Sequence, residues 1–168
     1  MPPESSAAVA YDLEILADHF QILFEDCHRD WDDIDLDTLY GEDARERHLG
    51  VVEGTLCIFI ARWFGPAHLK VVIRRDPPGD DISVWDNVVE ANLDVPSGCL
   101  VAYGPETRDR CQRLSLHPGQ YRARVCAGGI ATVDRYMRSG LDHYQVVLWP
   151  APVTDPAVLR LGPAHVRW

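Results

Sequence analysis

The chain has 168 residues, 46% of them hydrophobic, and its 26 acidic side chains outnumber 16 basic ones to give a net charge of −10 at neutral pH. That length suits one domain, 1–168, around one core, and the charge disfavours phosphate backbones, so nucleic acid is not an expected partner. No apolar run approaches the roughly 20 residues of a membrane helix, and "MPPESSAAVA" lacks the positive charge and apolar stretch of a secretory signal, so a cytoplasmic protein away from membranes is expected.

The first patterned stretch, "YDLEILADHFQILFED" (11–26), fits two periods. Leu13, Leu16, Phe20 and Leu23 stand at helical spacing, while His19, Gln21 and Leu23 alternate with Phe20, Ile22 and Phe24 as in a strand. The strand reading is preferred. Residues 25–43, "EDCHRDWDDIDLDTLYGED", then place nine carboxylates against one arginine, Arg29. A calcium loop started at Asp33 puts oxygen ligands at Asp33, Asp35 and Asp37, but the sharp-turn glycine position holds Thr38 and the bidentate glutamate position holds Ala44. No metal and no other cofactor is therefore expected. What the stretch does offer is Trp31, Leu36, Leu39 and Tyr40 interleaved with acids, a composition suited to meeting a basic protein. Alternatively, Trp31 and Leu36 pin a solvated loop to the core. One short helical turn is expected over 42–47, ended by Gly50.

From Leu49 onward, short apolar runs recur between Gly, Pro and Asp at intervals of about ten residues, the punctuation of an all-β protein. "RDPPGDD" (75–81) reads as an exposed loop. "VPSG" (95–98) and "HPGQ" (117–120) read as tight connections between neighbouring antiparallel strands, with proline fixing φ and glycine reaching otherwise forbidden conformations. In "QYRARV", Tyr121, Ala123 and Val125 alternate with Arg122 and Arg124, the pattern of a half-buried strand. The tail, 150–168, is too rich in proline to continue a central strand and is expected to lie extended over the surface. The expected fold is thus all-β, an antiparallel β-sandwich of jelly-roll type with at most one short helix.

Reactive side chains nominate no chemistry. Cys27, Cys57, Cys99, Cys111 and Cys126 are odd in number and irregular in spacing, so they read as reduced, mostly buried thiols. Seven histidines form neither HxH nor HExxH, and GxSxG, GxGxxG and GKS/T motifs are missing. No catalytic residue is assigned. Fifteen arginines against a single lysine, Lys70, point to a coding sequence rich in G and C.

Three segments together resemble the competence-associated nuclease inhibitor family, small bacterial β-rich proteins. They are "HFQILF" (19–24) followed by Trp31 and its acids, "LHPGQYRARV" (116–125), and the late strand "YQVVLW" (144–149). Gln120 stands where that family would place an acid, and the arginine-rich segment and proline-rich tail have no counterpart. The resemblance implies a non-catalytic protein that blocks a nuclease. Charge points the same way: residues 12–47 carry thirteen acids and three bases, residues 107–138 seven arginines and two acids.

The expected function is therefore a binding protein, inhibitor or immunity-type, presenting Trp31, Asp32, Asp33, Asp35, Asp37, Tyr40, Glu42 and Asp43 to a basic partner such as a nuclease or toxin. An alternative is a small-molecule binder or enzyme with Trp63, Trp85, Tyr103, Tyr121 and Tyr144 lining the sandwich interior or barrel mouth. A third reading is a homo-oligomer in which the acidic segment of one copy meets the basic segment of another.

Overall fold

The computed structural model describes residues 8–162; the end of the tail, 163–168, on which its expected course partly depended, lies outside them. Residues 11–26 form two strands, β1 (Val9–Asp18) and β2 (Gln21–Asp26), turned at His19 and Phe20, both at positive φ. Period two prevails: Leu13, Ile15 and Ala17 of β1 are buried while Leu16, a member of the helical stripe, is exposed. After the acidic stretch come β3 (Leu49–Val52), β4 (Thr55–Phe59), β5 (Phe64–Ile73), β6 (Asn87–Val95), β7 (Cys99–Tyr103), β8 (Gln112–Ser115), β9 (Gly119–Gly128), β10 (His143–Pro150) and β11 (Ala157–Arg160).

All eleven strands belong to one curled sheet with a half-barrel outline, and this corrects the expected jelly-roll sandwich. A long limb runs β11-β6-β9-β10-β5-β1, and a short limb consists of β3-β4-β2-β7-β8. Among the described residues, the strand pairing that links them is at the β1–β2 turn, where Asp18 pairs with Gln21. Nor is the pairing wholly antiparallel: β10 lies parallel to β5, His143 opposite His68 through Leu148 opposite Ile73. Four strands intervene between these two in the chain, long enough for a crossover, and a parallel pair leaves no mark on local alternation.

One core fills the curl. It takes Leu13 and Ile15 from β1, Ile22 and Phe24 from β2, Leu56 and Ile58 from β4, Leu69 and Val71 from β5, and Tyr144, Val146 and Leu148 from β10. The five aromatics considered as an interior lining do not converge. Tyr121 and Tyr144 belong to this core, Tyr103 lies on the far side of the short limb, Trp63 is exposed, and Trp85 packs on the His143 ring at 5.3 Å.

Two turn readings need correcting. "VPSG" joins β6 to β7 and "HPGQ" joins β8 to β9, but neither pair of strands is hydrogen-bonded: β6 and β9 lie in the long limb, β7 and β8 in the short one. These turns carry the chain from limb to limb. The alternation of β9 is as expected on its inner side, whereas Arg122 and Arg124 do not face open water. Arg122 faces Asn92 and Arg124 faces Glu90 across the β6 ladder, and both guanidinium groups pair with the Glu90 carboxylate, at 3.4 and 2.8 Å. Carbonyls of Thr154 and Asp155 in the tail cover Arg122. The tail then adds β11 to the edge of β6, the kind of position open to a proline-rich segment.

Candidate functional site

Strand alternation leaves the short limb apolar on both faces. Ile22, Phe24, Leu56, Ile58, Leu100 and Ala102 point into the main core, so Leu23, Cys57, Phe59, Val101 and Tyr103 point outward and need a cover. Residues 27–48 supply it. A 3₁₀ turn (Trp31–Asp33), a single helical turn α1 (Leu36–Leu39) and the expected short helix α2 (Glu42–Arg47) lie on this face through Ile34, Leu39 and Ala44. Helix α2 ends at His48 in a left-handed conformation; Gly50, expected to end it, is already in β3.

The acids in this cover divide by environment. Glu25 and Asp26 are buried and spoken for. Glu25 accepts the Tyr103 hydroxyl at 2.5 Å and the Thr55 hydroxyl at 3.3 Å, and meets Arg108 at 3.4 Å. Asp26 accepts from the Ser97 backbone N–H and hydroxyl at 3.0 and 2.6 Å, fixing the β6–β7 turn. Two exposed acids are caps: Asp30 accepts from the Asp32 N–H at 3.0 Å, and Asp35 accepts from the Thr38 N–H at 3.1 Å and its hydroxyl at 2.6 Å. The Thr38 hydroxyl and N–H hold the Asp35 carboxyl below its ordinary value of 3.8.

Asp37, Glu42 and Asp43 occupy first turns, where a negative charge suits the helix dipole. With Asp32 and Asp33 they are exposed, and the charge of Asp43 acts on the Arg47 guanidinium at the other end of α2. Arg29, the one arginine inside the stretch, gives its Nη2 to the Asp33 carbonyl instead of to a carboxylate.

The two aromatic residues expected at the site turn their polar atoms inward. Trp31 Nε1–H donates to the Tyr103 hydroxyl at 2.8 Å, and the Tyr40 hydroxyl donates to Gln21 Oε1 at 2.9 Å, its ring tilted against Phe59 at 6.3 Å. Burial raises the Tyr40 and Tyr103 phenols, and the neighbouring Glu25 carboxylate adds to the effect on Tyr103. The Trp31 and Tyr40 rings are half-buried and hold the cover to the sheet. Leu36, expected to help pin the loop, is 48% exposed instead; Leu39, three residues on, is the pin. Glu46, on the exposed side of α2, was not singled out from the sequence.

The cover is tied down at its start by a disulfide between Cys27 and Cys99, which corrects the reading of these two as free thiols. Their spacing in the chain conceals the bond. Antiparallel pairing of β2 with β7 sets Asp26 opposite Leu100 and so brings the next two residues, Cys27 and Cys99, to a Cα separation of 5.4 Å. Cys57, Cys111 and Cys126 are free.

No protein-family model and no curated protein sequence matches the chain. Solved structures do resemble it. One is ComJ from Bacillus subtilis, described as an inhibitor of the DNA degrading activity of NucA, with a TM-score of 0.64 and 11% identity over 87% of this chain and 100% of that one. Another is described as crocagin biosynthetic gene J, with a TM-score of 0.60 and 18% identity over 87% of this chain and 99% of that one. The likeness to ComJ extends the family resemblance noted in the sequence to the fold.

Proposed function

We propose that the chain is a non-catalytic bacterial binding protein of inhibitor or immunity type. Its binding face is the outer side of the cover, with Asp32, Asp33, Asp35, Asp37, Glu42 and Asp43 as the charged contacts and Trp31 and Tyr40 as their rigid support. The partner is a basic protein, a nuclease or toxin whose phosphate-binding groove an array of carboxylates can occupy. The observation that carries this reading is the run of exposed carboxylates, Asp32, Asp33, Asp35, Asp37, Glu42 and Asp43, on the 3₁₀ turn, α1 and α2 that cover the short limb. A fold shared with a protein described as a nuclease inhibitor supports the same reading.

Steering by unscreened charge makes the association salt-sensitive, since the Debye length falls from about 10 Å at 0.1 M salt to about 3 Å at 1 M. Calorimetric titration with a basic nuclease or toxin that the chain binds should show affinity falling about tenfold or more across that range. Replacing Asp32, Asp33, Asp35 and Asp37 together by Asn should weaken binding at low salt by a similar factor, while Asn at position 35 still caps α1. Unchanged affinity in either experiment rules the reading out.

A further inference from the structure

The joint between the limbs is incomplete. Past the Asp18–Gln21 pair, β2 turns to β4 and β7, so β1 runs along the short limb without a ladder to it. Gly104 marks how close the two come, because a Cβ there would collide with the Leu16 carbonyl. Toward the start of β1 the seam widens into an open cavity of about 550 Å³, within the range of small-molecule sites.

Its walls are apolar and its charge is of one sign. Ile73 and Leu116 line it, and Tyr121 contributes its ring while donating its hydroxyl to the His117 carbonyl at 2.6 Å. Arg74 and Arg75 also line it, with no acidic residue among the lining groups, although the chain as a whole is strongly acidic. Arg62, Arg108, Arg122 and Arg124 each meet a carboxylate, whereas among the described residues Arg74 and Arg75 meet none. Arg74 Nε is moreover buried without an acceptor. A buried donor in this condition is rare, and it leaves the Arg74 guanidinium short of an acceptor.

We infer that the seam mouth between β1 and the turn after β8 binds a small oxyanion, carboxylate or phosphate, carried on an apolar body, with Arg74 and Arg75 holding the anion and the Ile73–Leu116–Tyr121 wall holding the body. Planar guanidinium groups suit both anions. This site is separate from the carboxylate face of the cover, so each stands or falls alone.

The test is a titration of the full-length, isotopically labelled protein, followed by amide spectra, with 3-phenylpropionate, phenyl phosphate and the neutral 3-phenylpropanamide. At least one anionic probe should shift the amides of 73–75 and 115–121 and bind about tenfold more tightly than the amide. Arg74→Gln should remove that preference while leaving the rest of the spectrum in place. Should Arg74→Gln not fold, Arg75→Gln, at an exposed position, is expected to reduce the same preference. Which anion binds identifies the source. Equal binding of the neutral probe, shifts confined to other regions, or no shifts with any probe overturns the assignment.

Discussion

Tyr103 connects groups that lie far apart in the chain. Its hydroxyl accepts from the Trp31 indole and donates to Glu25, with Arg108 beside the same carboxylate and over the ring at 5.9 Å. Tyr103→Phe leaves the indole N–H without its acceptor and a buried carboxylate short of a donor. The expected cost is about 1–3 kcal/mol, read from the urea midpoint at unchanged m-value. A second residue-scale effect concerns alkali. Burial pushes the Cys126 thiol from 9.0 up to about 12 and raises Cys57 as well. Below pH 9 the thiols are protonated folded or unfolded, and their contribution to stability is fully present. Above it the unfolded chain releases protons that the folded chain keeps, so stability falls as pH rises toward 12, by no more than about 1.4 kcal/mol per pH unit for each thiol. Urea titrations at pH 8 and pH 10 should show the loss, and Cys126→Ala should lessen it.

The element that decides the proposed function is the cover, and its seating depends on one close approach. A Cβ on Gly50 of β3 would collide with the Leu39 carbonyl at the end of α1. Gly50→Ala should therefore lift α1, cost about 1–3 kcal/mol in thermal or urea unfolding, and weaken partner binding without altering any charge. The sequence made the outer strands legible because alternation survives wherever one face is wet, as in β1. It could not assign partners to strands. Pro-Gly chemistry at 95–98 and 117–120 announces a reversal, but whether the chain returns to the same limb or crosses to the other is decided by tertiary packing. Arg122 and Arg124 likewise read as solvent-facing because Glu90 and the tail that covers them are distant in sequence. In the cover, Leu36 and Leu39 are equivalent by composition, and only the start of α1 after the Asp35 cap determines which one is buried.

At the scale of the whole molecule, two charged segments of similar appearance in the sequence have different fates. The acids of 30–46 belong to one segment, whose 3₁₀ turn, α1 and α2 fold over one face of the short limb. The arginines of 107–138 are dispersed and largely engaged: Arg108 meets Glu25, Arg122 and Arg124 share Glu90, Arg113 stands 3.6 Å from the Cys27 sulfur, and Arg138 lies over Trp63 at 5.7 Å. Such dispersal argues against pairing of the 30–46 acids of one copy with the 107–138 arginines of another. Head-to-tail assembly through these segments would also need its ion pairs unscreened and would dissolve in salt. The protein is expected to sediment as a monomer of 18.9 kDa at both 0.1 and 1 M salt, about 10 and 3 Å in Debye length. A larger species present only at the lower concentration would mean that the carboxylate face is occupied by the chain itself, and binding of a basic partner would then have to compete with self-association.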